Sequence, residues 1–159
     1  MKKYLLFFAV FTILFSACKK SDTATTTPTV DPAVQAKIDD DKIQAYLAAD
    51  KIIATKDASG LYYVVVDPGS GTAPTINSTV RVAYTGQYLD KTVFQTVPNI
   101  SFPLSGVIKG WQIGIPFIKS GGRIILYIPS ALAYGPAGRD SIPPNTVLIF
   151  TIDLFQVQG

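Results

Sequence analysis

The side chains best equipped to build a functional site in this chain are aromatic. Tyr84, Phe94, Phe102, Trp111, Tyr134 and Phe150 lie in separate stretches of the sequence, and brought together by folding they would line an apolar cavity. The same rings would equally serve as the core of a small β-rich domain. Proton-transfer chemistry is poorly supplied: the chain has no histidine, all 11 acidic residues are aspartate, and there is one cysteine. Ser-His-Asp triads, Cys-His dyads and histidine-ligated zinc are thereby excluded. With histidine absent, an apolar cavity is a better candidate site than a set of proton-transfer groups, and no metal or cofactor is expected.

The elements that would position these rings follow from patterning. Asp31 before Pro32 suits an N-cap with proline in the first turn, so a helical segment is expected over 31–58. Val34, Ile38, Ala45, Ala49 and Ile52 form its apolar stripe, widened by Tyr46, Leu47 and Ile53, while Asp39-Asp40-Asp41 reads as a solvated face. Ser59-Gly60 is the expected stop. Beyond it, short β-rich runs punctuated by Gly, Pro and Asn predict strands over 61–66, 79–88, 100–104, 123–128 and 146–157. Val107, Ile108, Trp111, Ile115 and Ile118 recur at the helical period. The expected fold is α+β: an antiparallel sheet wrapped on one short helix around one core, preceded by the N-terminal helical segment.

The first residues read as an export signal. Lys2 and Lys3 precede an apolar run over 4–15, then Ser16, Ala17 and Cys18. As a helix that run is about 18 Å long, short of the ~30 Å hydrocarbon core of a bilayer. Phe15-Ser16-Ala17-Cys18 resembles a bacterial lipobox, with Phe15 where an aliphatic residue is usual, so Cys18 is expected to be the lipidated first residue of the mature chain. A Ser/Thr/Pro-rich tether would complete 18–30 after the signal peptide of 1–17. Loss of Lys2 and Lys3 lowers the formal charge of +3 by two, which leaves no basic footprint for nucleic acid.

Six strings in order carry a resemblance. Val80-Arg81-Val82-Ala83-Tyr84-Thr85-Gly86, Thr92-Val93-Phe94, Val107-Ile108-Lys109-Gly110-Trp111, Leu132-Ala133-Tyr134-Gly135, Ile142-Pro143-Pro144-Asn145-Thr146 and Leu148-Ile149-Phe150 resemble the FKBP family of peptidyl-prolyl isomerases. The resemblance covers roughly 61–157 and implies an FKBP-like isomerase domain over 59–159, a half-β-barrel curled on a short helix. It implies a proline-binding cavity between helix and sheet, with Trp111 as its floor. Tyr84, Phe94, Gln95, Ile108, Trp111, Tyr134 and Phe150 would be the catalytic set, and Ile100, Phe102, Val107, Arg139 and Ile142 would add substrate contacts. The N–H at Ile108 and the Tyr134 hydroxyl would donate to ligand carbonyls, and the loop 136–141 would overhang the cavity.

The implied partners are proline-containing segments of exported proteins, a membrane reached through lipid on Cys18, and macrolide-type inhibitors, in a bacterial envelope. Departures from the family pattern bear on rate. Gln95 stands where many members have aspartate, Thr96-Val97-Pro98-Asn99 reads as a short loop without an arginine, and Ile100 replaces an aromatic wall residue. A non-catalytic module that holds proline segments is the alternative these departures favour.

Overall fold

A computed structural model describes residues 30–159, so the expected signal peptide, the expected lipidation at Cys18 and most of the expected tether lie outside the described residues. The elements run α1 (Pro32–Ala49), β1 (Thr55–Lys56), β2 (Tyr62–Asp67), β3 (Thr79–Gln87), β4 (Val93–Pro103), α2 (Lys109–Gly114), β5 (Arg123–Ile128) and β6 (Leu148–Gln158). The strands form one antiparallel sheet in the order β1-β2-β5-β6-β3-β4. The α+β class and the short helix agree with the sequence expectation.

Alternating residues of β5 and β6 feed two layers. Ile124, Leu126, Ile128, Leu148, Phe150, Ile152 and Leu154 point into the main core, which includes Trp111 and Ile115. Tyr127 and Ile149 belong to a second cluster with Ile43 and Leu47 of α1. A sheet covered on both faces makes its central strands apolar at nearly every position, which is why β5 reads as one apolar run. The expected single core is therefore corrected to two, one on each face.

The second layer holds Tyr127, 2% exposed. Burial, reinforced by the nearby Tyr46 and Asp50, pushes its phenol up to about 12. Between the ordinary tyrosine value near 10 and that value, the unfolded chain has released a proton that the native chain keeps, so stability falls as pH rises. Urea midpoints are expected to drop from pH 10 to pH 12, and to drop less steeply in Tyr127→Phe. Parallel slopes for the two proteins would remove Tyr127 as the cause.

Helix α1 departs furthest from expectation. Asp31 caps it as predicted, its carboxylate accepting from the Ala33 N–H at 2.8 Å. The buried stripe, however, is Gln35, Asp39, Ile43 and Leu47, while Val34 and Ile38 are 53% and 37% exposed. Ile53 is 94% exposed. Three consecutive aspartates cannot share one helix face, because each residue turns about 100°. Asp39 is fully buried, Asp40 pairs at the edge with Lys56 at 2.6 Å, and Asp41 faces water beside Lys37.

The helix also stops early, at Ala49 instead of running to 58. The Ile52 N–H reaches Leu47 O at 2.8 Å and the Lys51 N–H reaches Ala48 O at 3.2 Å, with Lys51 at φ 55°. That is a Schellman closure in which a lysine occupies the left-handed position usual for glycine, so no compositional signal announced it.

The segment read as the loop 96–99 lies inside β4. Val82 pairs with Ile100 but Tyr84 pairs with Val97, so β4 carries one extra residue opposite β3, a bulge at Pro98 and Asn99. Pro98 is tolerated because β4 is the sheet's edge. The helix expected over 107–118 is regular only over Lys109–Gly114 and tightens to a 3₁₀ turn at Ile115–Phe117, where Pro116 has no N–H to continue the ladder.

Candidate functional site

Strand β3 supplies one wall of the site with its inward face. Val80, Val82, Tyr84 and Gly86 are buried and alternate with half-exposed neighbours. Their partners on β4 are Phe102, Ile100, Val97 and Gln95, and directly opposed antiparallel residues share a face. The bulge keeps Val97 and Ile100, three residues apart, on the same side. A second irregularity, between Gly86 and Gln87, makes Phe94 the extra residue. A Cβ on Gly86 would come within 2.5 Å of the Phe94 ring and 2.9 Å of Phe150, so glycine there makes room for both rings.

Helix α2 brings Trp111 against this surface. The indole meets Tyr84 at 5.0 Å and 84°, Phe150 at 5.3 Å and 88°, and Phe102 at 6.0 Å and 81°, edge-to-face arrangements favoured by the ring quadrupoles. Trp111 is 4% exposed and its Nε1 has no hydrogen-bond partner among the described residues. Ile108 forms the N-cap, its carbonyl accepting from the Trp111 and Gln112 N–H groups at 3.0 and 3.2 Å. Gln112 Nε2 donates to Val107 O and Ser105 O at 2.7 and 3.1 Å, which fixes the turn leading into the helix.

The remaining wall comes from the long connection between β5 and β6. Gly138 at φ 65° and Asp140 at φ 50° turn the loop back on itself, closed by paired hydrogen bonds between Arg139 and Ile142 at 2.9 and 2.7 Å. The Tyr88 hydroxyl donates to Ser141 O at 3.0 Å and its ring packs on Phe94 at 5.0 Å, tying the loop to the far end of β3. Arg139 lies over the Tyr134 ring at 5.6 Å. Its 3.5 Å contact with Asp140 joins two largely exposed side chains, so that pair contributes little.

Together these elements enclose a cavity of about 780 Å³, within the usual range for ligand sites. All twelve side chains singled out from the sequence line it: Tyr84, Phe94, Gln95, Ile100, Phe102, Val107, Ile108, Trp111, Tyr134, Arg139, Ile142 and Phe150. Val97 and Gly106 also line it and escaped the sequence reading. Val97 was hidden by the loop-like Pro-Asn pair after it, and Gly106 offers no side chain to notice. Burial and the neighbouring Tyr134 push the Tyr84 phenol above its ordinary value, so it stays protonated at neutral pH. Neither tyrosine hydroxyl is engaged in a hydrogen bond among the described residues, nor is the Ile108 N–H. No group of three or more potential metal ligands occurs among the described residues.

An apolar aromatic basin with free donors at its edge suits a planar, partly apolar ligand with carbonyl acceptors. Residues 70–155, more than half of the chain, match the family model described as FKBP-type peptidyl-prolyl cis-trans isomerase. The Escherichia coli K12 FKBP-type isomerase FkpA is 45% identical over 105 residues, covering 64% of this chain and 39% of that protein. The Mip isomerase of Coxiella burnetii is 39% identical over 126 residues, 74% of this chain and 54% of its own length. The crystal structure of Escherichia coli FkpA superposes with a TM-score of 0.70 at 38% identity, over 80% of this chain and 64% of that one. The chain thus spans well under two thirds of the curated relatives it matches.

Proposed function

Because this chain belongs to the FKBP-type peptidyl-prolyl cis-trans isomerase family, we propose that it interconverts cis and trans X-Pro bonds by holding the proline in the cavity floored by Trp111. The observation that carries this reading is the convergence of Trp111, Tyr84, Phe150 and Phe102 on one open apolar basin with unengaged donors nearby. An X-Pro bond has its two forms within about 1 kcal/mol, separated by a barrier of roughly 18–20 kcal/mol. No bond is made or broken. The twisted transition state has lost amide resonance and part of its dipole, so a dry aromatic surface disfavours the planar amide relative to it.

The family resemblance implies the roles of the side chains. Trp111, Tyr84, Phe94 and Phe150 would receive the pyrrolidine ring, with Ile100, Phe102, Val107 and Ile142 extending the apolar contact. The Ile108 N–H and the Tyr134 hydroxyl would bind carbonyls flanking the bond, and Arg139 would meet the chain at the mouth. The substrates would be proline-bearing segments of exported polypeptides, with macrolide-type compounds as inhibitors and with the protein held at an envelope membrane by lipid on Cys18. Among the described residues no helix is long and apolar enough to cross a membrane.

Gln95 is the specific observation behind the second reading, a module that binds proline segments with little turnover. It sits on the cavity wall, exposed, opposite Gly86, and its neutral amide supplies hydrogen bonds but no charge. A protease-coupled isomerisation assay on an X-Pro peptide separates the two readings. Wild type is expected to accelerate exchange, and Gln95→Asp to raise kcat/KM by more than it changes peptide affinity, as for an interaction stronger in the transition state. A wild-type rate equal to the uncatalysed one, unrescued by aspartate, would favour the binding module.

A further inference from the structure

Asp39 of α1 has no exposed surface, and no cation lies within salt-bridge distance of it among the described residues. Its carboxyl oxygens accept from neutral donors: Gln35 Nε2 to Oδ1 at 2.7 Å, and the Ser130 N–H and Oγ to Oδ2 at 2.8 and 2.6 Å. A buried carboxylate held this way is geometrically demanding, since displacing either partner leaves it unsatisfied. Ser130, itself 1% exposed, opens the connection between β5 and β6 that carries Tyr134, Arg139 and Ile142. The Ser130 carbonyl accepts from the Ala133 N–H at 3.0 Å and the preceding Pro129 carbonyl from Leu132 at 2.9 Å, so Ser130 anchors the 3₁₀ turn that ends just before Tyr134.

The other foot of the same connection rests on the same helix. Val147, immediately before β6, is 3% exposed in the cluster with Ile43 and Leu47. Helix α1 lies on the sheet's second face and lines no part of the cavity, yet it grips both ends of the segment that builds one cavity wall.

We propose that Asp39 is a positioning residue: through Ser130 it sets the placement of Tyr134 and Ile142, and so couples the docking of α1 on the back of the sheet to occupancy of the proline cavity. The kinetic consequence rests on the isomerase reading, whereas the structural coupling does not. By reciprocity, whatever strengthens α1 docking strengthens binding in the cavity, and a bound peptide tightens α1.

The test uses the full chain with Asp39→Ala, which leaves the Ser130 N–H and hydroxyl without their acceptor, and the milder Ser130→Ala, which keeps the backbone donor. Ile43→Val loosens α1 packing without touching the Ser130 contact and tests the coupling from the helix side, while Lys37→Gln, on the exposed face of α1, serves as the control. In peptide-free amide spectra, Asp39→Ala is expected to move the Tyr134 and Ile142 resonances while those of Gly110 and the Trp111 indole hold. At a temperature where all proteins are fully folded, kcat/KM for an X-Pro tetrapeptide is expected to fall about fivefold or more in Asp39→Ala, less in Ser130→Ala and Ile43→Val, and to hold in Lys37→Gln. Saturating tetrapeptide is expected to slow hydrogen exchange at Ile43 and Leu47 in wild type.

Tyr134 and Ile142 resonances that stay in place in both Asp39→Ala and Ser130→Ala would overturn the inference. So would a lowered melting temperature in Asp39→Ala with unchanged kcat/KM. An inactive wild type would defeat the isomerase reading alone, because the peptide-free spectra judge the coupling independently. Should Asp39→Ala not fold, Ser130→Ala carries the same comparisons.

Discussion

Trp111→Ala is expected to abolish detectable binding of an X-Pro peptide and to lower unfolding stability by roughly 3–5 kcal/mol, the range for removing a buried tryptophan. The indole is 4% exposed and makes three near-perpendicular ring contacts, so both area and geometry are lost at once. Its Nε1 bonds to nothing among the described residues. No hydrogen bond is therefore lost and a buried unsatisfied donor is relieved, which places the stability cost toward the lower end of that range.

Tyr134→Phe provides the contrast. Tyr134 is half-buried and lines the cavity, with its hydroxyl free of internal bonds, so the loss should appear only in peptide affinity, at about 0.5–1.5 kcal/mol. Urea unfolding and peptide titration of both variants check the pair. Unchanged affinity in both would move the binding site away from this cavity.

Gly110→Ala is expected to destabilise the protein by about 1–2 kcal/mol and to weaken peptide binding with it. Helix propensity alone argues the other way, since alanine is favoured over glycine by about 1 kcal/mol in a helix interior. Packing reverses the sign. A Cβ at Gly110 would lie 2.5 Å from Cγ2 and 2.8 Å from Cδ1 of Ile128, a fully buried β-branched side chain with little rotameric freedom. Overpacking of this kind costs roughly 1–3 kcal/mol, and relief by lifting α2 from β5 would carry Trp111 out of register with Tyr84 and Phe150. Gly114→Ala meets Leu126 at a similar 2.5 Å, but an unbranched Cβ lets leucine turn aside, so the smaller effect is expected there. A higher urea midpoint for Gly110→Ala would show that propensity outweighs the contact.

Patterning along the chain settled the β5 boundaries, the N-cap at Asp31 and the α+β class, and six strings resembling a known family pointed to the side chains gathered around the cavity. Those features are local or are carried by strings of fixed spacing, so they survive without knowledge of partners. The inward face of α1 did not survive. Its apolar stripe through Val34 and Ile38 faces outward, because Gln35 and Asp39 are satisfied by each other and Asp39 also by Ser130, 91 positions away. A polar residue becomes a core residue only when a distant donor meets it, and periodicity carries no record of that donor. Val97 was lost for a related reason: whether Pro98-Asn99 is a loop or a bulge depends on the pairing of β4 with β3. The Lys51 turn had no glycine to mark it. Tertiary contacts decided each of these, since an unfavourable local choice persists wherever packing and hydrogen bonding across the fold exceed its cost.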